Sequence, residues 1–326
     1  MFIHQVNIEE FRGIKKCQEP LKLSKFNILI GRNNSGKSTI LGALSLLPSP
    51  FHHDPFYGGT RVDFLQRLIG GANSLVYAYS GRSKLTYKIN GGSWKIEVDD
   101  QSRIDFSINN VTSSDIVRQI ASSLNVEPNP ERIQRLVFFI PNSTVFIKTL
   151  IERLREDTYW NFVVKQHAHS EVTNNINQSV DDKYTEILIY KNDLRARKEL
   201  PKVGPFYIKL EDLGDGVEKA IAVMLFVNAF KPDLILWDDF EAAAHPTLIR
   251  ILLNWLNAGP WQVVLSTHSI DVLDRLLEVK PKDTRIIQLK KTADDILLHK
   301  ELTLEELEAL MEANQDPRLL VDALQL

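Results

Sequence analysis

The stretch Gly31 to Thr39 reads GRNNSGKST. It follows the apolar run Phe26-Asn27-Ile28-Leu29-Ile30 and leads into Thr39 to Leu47, stopped by Pro48. The run reads as a buried strand and the segment after the loop as a helix. The first eight residues of the loop fit G-x-x-x-x-G-K-[ST] without a mismatch, and Thr39 follows. Gly31 and Gly36 let the backbone turn tightly, so that successive N–H groups point inward at an anion. The helix N-terminus behind them adds about half a positive charge. Gly31, Arg32, Asn33, Asn34, Ser35, Gly36, Lys37, Ser38 and Thr39 therefore form a cradle for a nucleoside triphosphate. Lys37 reaches for the β- and γ-phosphates, and the Ser38 hydroxyl is a ligand for Mg²⁺.

Composition narrows the class. The chain has 326 residues, 44% of them apolar and 25% charged, enough for one large domain or two lobes. A net charge of −3 is no global signature of nucleic-acid binding. The single cysteine, Cys17, allows no internal disulfide, which points to a reducing cytoplasm and a passive thiol. No stretch approaches 18 uninterrupted apolar residues, and no signal peptide is visible, so membrane insertion is not expected.

Along the chain, residues 1–30 alternate as strands do. Residues 48–74 read as a long loop with a short helix near Val62 to Ile69. His52, His53 and Asp54 in it read as solvated, with a metal site as the alternative. Leu75 to Tyr79, Lys84 to Ile89, Trp94 to Val98 and Arg103 to Ile108 read as a β-meander. Helices follow at Ser113 to Leu124 and at Thr144 to Val164, the latter broken near Asp157. Residues 165–182 read as a polar loop or frayed helix. The basic run Lys191 to Lys202 reads as a solvated turn, with a nucleic-acid contact as the alternative.

Three later motifs supply what the loop lacks. Leu234-Ile235-Leu236-Trp237 is a buried strand ending in Asp238-Asp239-Phe240-Glu241, and it delivers Asp238 to hold Mg²⁺. Two adjacent carboxylates at a buried strand end repel without a cation. VVLSTHS, Val263 to Ser269, places His268 beyond another buried strand, where it can hydrogen-bond a γ-phosphate or an attacking water. Leu213-Gly214-Asp215-Gly216-Val217 opens a helix with two glycines and an Asp cap, a second anion site. One nucleotide does not need two cradles, so the surplus argues for a dimer with nucleotide at its interface.

Together with FRGI at Phe11 to Ile14, these motifs make the chain resemble the ABC-type ATPases, in the branch of RecF-like, SMC-like and OLD-like proteins. The resemblance implies an α/β P-loop NTPase fold of ABC-ATPase head type, a β-rich N-terminal lobe plus a parallel-sheet lobe with a helical insertion. We divide it as 1–110, 111–205 and 206–326 of one two-lobed domain. It implies ATP and Mg²⁺ as cofactors. Gly214, Asp215 and Gly216 act on the ATP of a second copy, Arg12 contacts nucleotide, and His268 senses the γ-phosphate. Asp239 stands where the family has the glutamate that serves as base, with Glu241 two residues on, so the base is either. The family's Q-loop glutamine has no clear counterpart; Gln101 and Gln134 are the candidates. No heptad arm fits, and the tail after Ser269 is too short for a TOPRIM nuclease. The expected function is ATP-gated dimerisation with hydrolysis, in DNA repair, defence or chromosome maintenance, acting through a separate effector such as a nuclease, with nucleic acid possible. An ABC-transporter ATPase subunit and a non-hydrolysing ATP-gated scaffold are the alternatives.

Overall fold

The computed structural model describes residues 1–71 and 73–319; residues 320–326 of the expected third region lie outside the described residues. The chain opens with β1 (Ile3–Phe11), β2 (Ile14–Cys17), β3 (Leu21–Lys22) and β4 (Phe26–Ile30), followed by α1 (Lys37–Ser45) and α2 (Arg61–Ile69). The meander is β5 (Arg82–Ile89), β6 (Gly92–Asp99) and β7 (Ile104–Ile108). Then come α3 (Ile116–Leu124), α4 (Pro130–Gln134), β8 (Val137–Ile140), α5 (Thr144–Arg155), α6 (Asp157–Lys165) and α7 (Ala168–Ile176). A hairpin and a third strand follow: β9 (Glu186–Tyr190), β10 (Asp193–Leu200) and β11 (Gly204–Lys209). The last part is α8 (Asp215–Phe230), β12 (Leu234–Trp237), α9 (Pro246–Ala258), β13 (Gln262–Ser266), α10 (Ile270–Val279), β14 (Thr284–Lys291), β15 (Ile296–Leu302) and α11 (Leu304–Glu312).

One sheet runs in the order β7-β6-β5-β1-β2-β15-β14-β4-β13-β12-β8, with β3 on β1. Its meander end is antiparallel. From β14 to β8 every pair is parallel. The parallel strands β4, β8, β12 and β13 are buried at every position, as expected of strands covered on both faces. Alternate residues supply two cores. Ile235 and Trp237 face one that includes α8 and α9, while Leu234 and Leu236 face the other, with α1 and the meander. Helix α8 is buried at every residue from Lys219 to Phe230, as a helix sealed by its neighbours should be.

Four expectations change. Leu75 to Tyr79 is not a strand but two 3-10 turns, Asn73–Leu75 and Tyr77–Tyr79. β1 already has β5 on one edge and β2 and β3 on the other, leaving a single bridge from Phe11 to Val76. The basic run around Lys191 to Lys202 is largely β10, the central strand of a three-stranded sheet. Its inward residues Leu194 and Ala196 are buried, and Arg197 pairs with Glu199, which masks the alternation in the sequence. Residues 165–182 contain α7, which buries Ala168, Val172 and Ile176 at four-residue spacing. Last, β8, placed within the insertion, is the edge strand of the parallel sheet beside β12.

Candidate functional site

The registers bring four strand ends to one edge. Trp237 lies opposite Ile140 and Leu265, and Ser266 lies opposite Leu29. Gly31, Asn142, Asp238 and His268 follow these ends, at the crevice where open α/β sheets bind ligands.

The loop takes the conformation its sequence requires. Gly31 and Gly36 have φ of 148° and 103°, and a Cβ on Gly31 would stand 2.5 Å from the Leu289 carbonyl oxygen. α1 starts at Lys37 behind Gly36, with no side chain capping its first turn. Lys37 is buried and donates to the carbonyls of Gly31 and Arg32, each at 2.9 Å. Burial lowers its pKa, and Asp239, Asp238 and Glu241 oppose the shift. Arg32, Asn33 and Asn34 are exposed, and Thr39 is buried. The buried Ser35 hydroxyl has no hydrogen-bond partner among the described residues, as an atom awaiting a ligand would.

Asp238 lies across from the loop. Its Oδ1 accepts from Ser38 Oγ at 3.1 Å and from Ser266 Oγ at 2.6 Å. Burial raises its pKa, and the adjacent Asp239 adds to the rise. The arrangement suits a divalent cation. Mg²⁺ takes oxygen ligands, commonly one or two carboxylates and the substrate's phosphates, and its charge would offset this burial. Among the described residues no group of three His, Cys, Asp or Glu could hold a metal alone, so phosphate and water oxygens would complete such a site.

The two candidate bases separate. Glu241 Oε1 accepts from the His268 backbone N–H at 2.7 Å, and its Oε2 is buried without a hydrogen bond among the described residues. Asp239 is half-buried; its Oδ2 accepts from Asn142 Nδ2 at 2.7 Å, and its Oδ1 stands 3.7 Å from His268 Nε2. Asn142 was missed in the sequence. Its signal was position, the second residue after a buried strand that ends at Ile140, just past Pro141. Gln101 lies in the exposed turn between β6 and β7, and Gln134 ends α4; neither follows the end of a parallel strand at this edge. Arg318, also missed, donates to the His268 carbonyl at 2.6 Å.

Arg12 Nη1 donates to the Ser38 carbonyl at 3.0 Å, tying the β1–β2 turn to α1. At α8, Gly214 rather than Asp215 occupies the N-cap position, with no side-chain cap, so first-turn N–H groups stay available. Space beside Gly214 is open, whereas a Cβ on Gly216 would overlap the Ala243 carbonyl. Gly216 is thus explained by a contact within the chain, a close approach of α8 to the turn after Asp239. Cys17 is buried, and burial pushes its thiol up to about 11, consistent with a passive role. Among the described residues no helix is long and apolar enough to cross a membrane.

A glycine-lysine loop facing a strand-end aspartate, on a half-parallel, half-antiparallel sheet, gives the chain the fold of an ABC-type ATPase head. The model of the AAA ATPase domain family matches residues 1–202, and the chain belongs to that family and is an ATPase. It is 22% identical over 286 residues to the Septu protein PtuA of Bacillus mycoides, covering 82% of this chain and 38% of PtuA. The chain therefore spans well under half the length of that relative. It is also 28% identical over 92 residues to an uncharacterized protein of Methanocaldococcus jannaschii, covering 26% of this chain and 81% of that protein. An Smc head bound to the C-winged helix domain of ScpA superimposes with a TM-score of 0.64 at 16% identity, over 94% of this chain and 99% of that one. An Smc head with an extended coiled coil, bound to the C-terminal domain of ScpA from Pyrococcus furiosus, gives 0.59 at 14% identity, over 96% and 99%. At these identities the likeness is one of fold.

Proposed function

We propose that the chain binds ATP with Mg²⁺ between Gly31–Thr39 and Asp238, and that two copies close on the nucleotide to switch a separate effector. The observation that carries the reading is the set Ser38–Asp238–Ser266, hydrogen-bonded around one carboxylate oxygen beside Lys37 and the loop. The loop N–H groups and Lys37 would hold the phosphates, Lys37 leaving its two loop carbonyls to do so. Ser38 and Asp238 would hold Mg²⁺, which supplies charge neutralisation at the transferred phosphate.

Asp239 is the better-placed base. Asn142 orients its carboxylate and His268 faces it, whereas Glu241 is engaged by the His268 backbone. Asp239 would take a proton from the attacking water, with His268 at the γ-phosphate. The uncapped, open Gly214–Asp215 end of α8 suits the nucleotide of a second copy, with Gly216 fixing that end against Ala243. Service in DNA repair, defence or chromosome maintenance, with a nuclease or similar effector and with or without nucleic acid, extends the resemblance to RecF-like, SMC-like and OLD-like proteins. That the Smc heads were solved with ScpA domains supports a separate protein partner.

The test is the mass of Asp239→Asn in solution with ATP and Mg²⁺, by light scattering. A dimer that forms with ATP, dissolves with EDTA and is absent in Gly214→Trp supports the reading. A monomer under all conditions contradicts it.

A further inference from the structure

Past the end of α11, Asn314 has a φ of 56°, and the Gln315 N–H closes back on the Leu310 carbonyl at 2.9 Å. A left-handed residue there is a common helix stop. It sends the chain into the turn Asp316-Pro317-Arg318-Leu319. The Leu319 N–H donates to the Asp316 carbonyl at 3.1 Å, and Asp316 Oδ1 accepts from the Arg318 N–H at 2.9 Å. Proline at the second position suits such a turn. Pro317 is buried, and its carbonyl accepts from the buried Gln288, the β14 residue opposite Ile30. The turn is thus seated on the strand next to the one that feeds the phosphate loop.

From this seat one side chain reaches across to the histidine loop. Asp316 grips the Arg318 guanidinium at two nitrogens, Nε to Oδ1 at 2.9 Å and Nη2 to Oδ2 at 2.6 Å. The remaining nitrogen, Nη1, donates to the His268 carbonyl at 2.6 Å. A forked ion pair fixes the plane of the guanidinium, so Nη1 is aimed. On the other side of the same residue, the His268 N–H donates to Glu241 Oε1 at 2.7 Å. Both backbone groups of His268 are therefore bonded to charged side chains, of opposite sign. Its neighbours are held too. The Thr267 N–H donates to the Leu29 carbonyl at 3.1 Å, and Ser269 caps α10 by accepting from the Asp271 N–H at 3.1 Å. With its backbone so fixed, the imidazole moves by its side-chain torsions alone, and its Nε2 stands 3.7 Å from Asp239 Oδ1.

We propose that Arg318 is a positioning residue for ATP hydrolysis: with Glu241 it clamps the His268 backbone, so that the imidazole meets the γ-phosphate and Asp239 in one fixed geometry. The inference rests on the role given to His268 above and extends it to a residue that acts only through that histidine. A tether serving the fold alone is already supplied by Gln288 and Asp316, which seat and close the turn. The bond to His268 adds nothing that the turn needs. Charge-assisted hydrogen bonds are stronger than neutral ones, and a reacting group misplaced by about 1 Å can cost about 100-fold in rate. The same clamp gives Glu241 a use that leaves Asp239 as the base.

The test measures kcat and KM for ATP with Mg²⁺, by release of radiolabelled phosphate, together with melting temperature. The proteins are wild type, Arg318→Ala, Arg318→Lys, His268→Ala and the double variant of Arg318→Ala with His268→Ala. Arg318→Ala is expected to lower kcat about tenfold, less than a full displacement would cost, with KM within about twofold of wild type. Arg318→Lys keeps a charged donor without the fork and should fall between the two. In the His268→Ala background, removing Arg318 should cost less than about twofold more, because the group it positions is gone. A tether serving only the fold would give the same loss in both backgrounds. That result, or wild-type kcat in Arg318→Ala, overturns the assignment while the role of His268 stands. Should Arg318→Ala melt early, Arg318→Lys is carried through the same two backgrounds and judged by the same comparison. If His268→Ala alone keeps the wild-type kcat, the role given to His268 falls, and this inference with it.

Discussion

Two buried aspartates, Asp54 in the segment after α1 and Asp238 at the end of β12, show how this molecule separates scaffold from site. Burial raises the pKa of both. Around Asp54 the fold supplies everything needed to keep the charge. Arg61 stands 3.5 Å away, and the backbone N–H groups of Phe56 and Tyr57 donate to Oδ1 at 2.9 and 3.0 Å. Around Asp238 it supplies two hydroxyls and the charges of Arg12, Lys37 and Lys219, none of them in an ion pair with it among the described residues, and, next in the chain, a second carboxylate that adds to the rise. A buried charge answered by its own neighbours holds the fold together. On the proposed reading, a buried charge without an ion-pair partner of its own suits a cation that arrives with the substrate.

The largest expected effect breaks the site and spares the scaffold. Asp238→Asn should lower ATP turnover at least about 100-fold, on the order of 3 kcal/mol of transition-state stabilisation. It should leave the unfolding free energy of the nucleotide-free protein unchanged or raised, since the amide can still accept from both hydroxyls. Steady-state phosphate release and urea unfolding read the two together; a loss of stability matching the loss of turnover would make Asp238 another Asp54.

Arg61→Met makes the opposite cut. It leaves Asp54 buried without its counter-charge and strips donors from the carbonyls of Gln134 and Val137, at 2.6 and 3.0 Å. Removing one partner of a buried pair costs about 3–5 kcal/mol. Urea unfolding should show it, with turnover per folded molecule retained at low temperature.

A smaller effect is pH-linked. His52 is buried, and burial, with Arg61 nearby, lowers its pKa from 6.5 to about 4. The folded state resists the proton that the unfolded state accepts, so His52 lowers stability progressively as pH falls from 6.5 towards 4 and has no effect above 6.5. At 1.36 kcal/mol per pKa unit the limit is on the order of 3 kcal/mol, less at any pH within the window. Unfolding curves of wild type and His52→Gln at pH 7.5 and 5 should diverge only at pH 5, with wild type losing more. Parallel curves would place His52 in solvent.

The contrast also explains what the sequence disclosed. The parallel strands and the site edge were legible because each chemical residue directly follows a buried apolar run: Ile30 before Gly31, Trp237 before Asp238, Val263-Val264-Leu265 before Ser266 and His268. Local order and the proposed site coincide there. His53 is exposed, as read, but His52 and Asp54 read as solvated because the partner that buries Asp54, Arg61, looks like an ordinary surface arginine, and because Phe56 packs on Phe138, far along the chain, at 4.4 Å. Asn142 was hidden for the same reason, since only the pairing of β8 with β12 brings it to Asp239. The left-handed Ala78–Tyr79 turn was masked by Leu75 to Tyr79, whose apolar and aromatic residues have strand propensity and no free edge to join.

The most direct measurement of the central claim is the thermal unfolding midpoint of wild type and Lys37→Ala with ATP, with and without Mg²⁺. Ligand at about 100 times its Kd stabilises a folded protein by about 2.7 kcal/mol. Wild type should rise by several degrees with ATP and Mg²⁺, and clearly less with ATP and EDTA, while Lys37→Ala should not move. An equal rise in both proteins, or no rise in wild type at saturating ATP and Mg²⁺, would contradict the account.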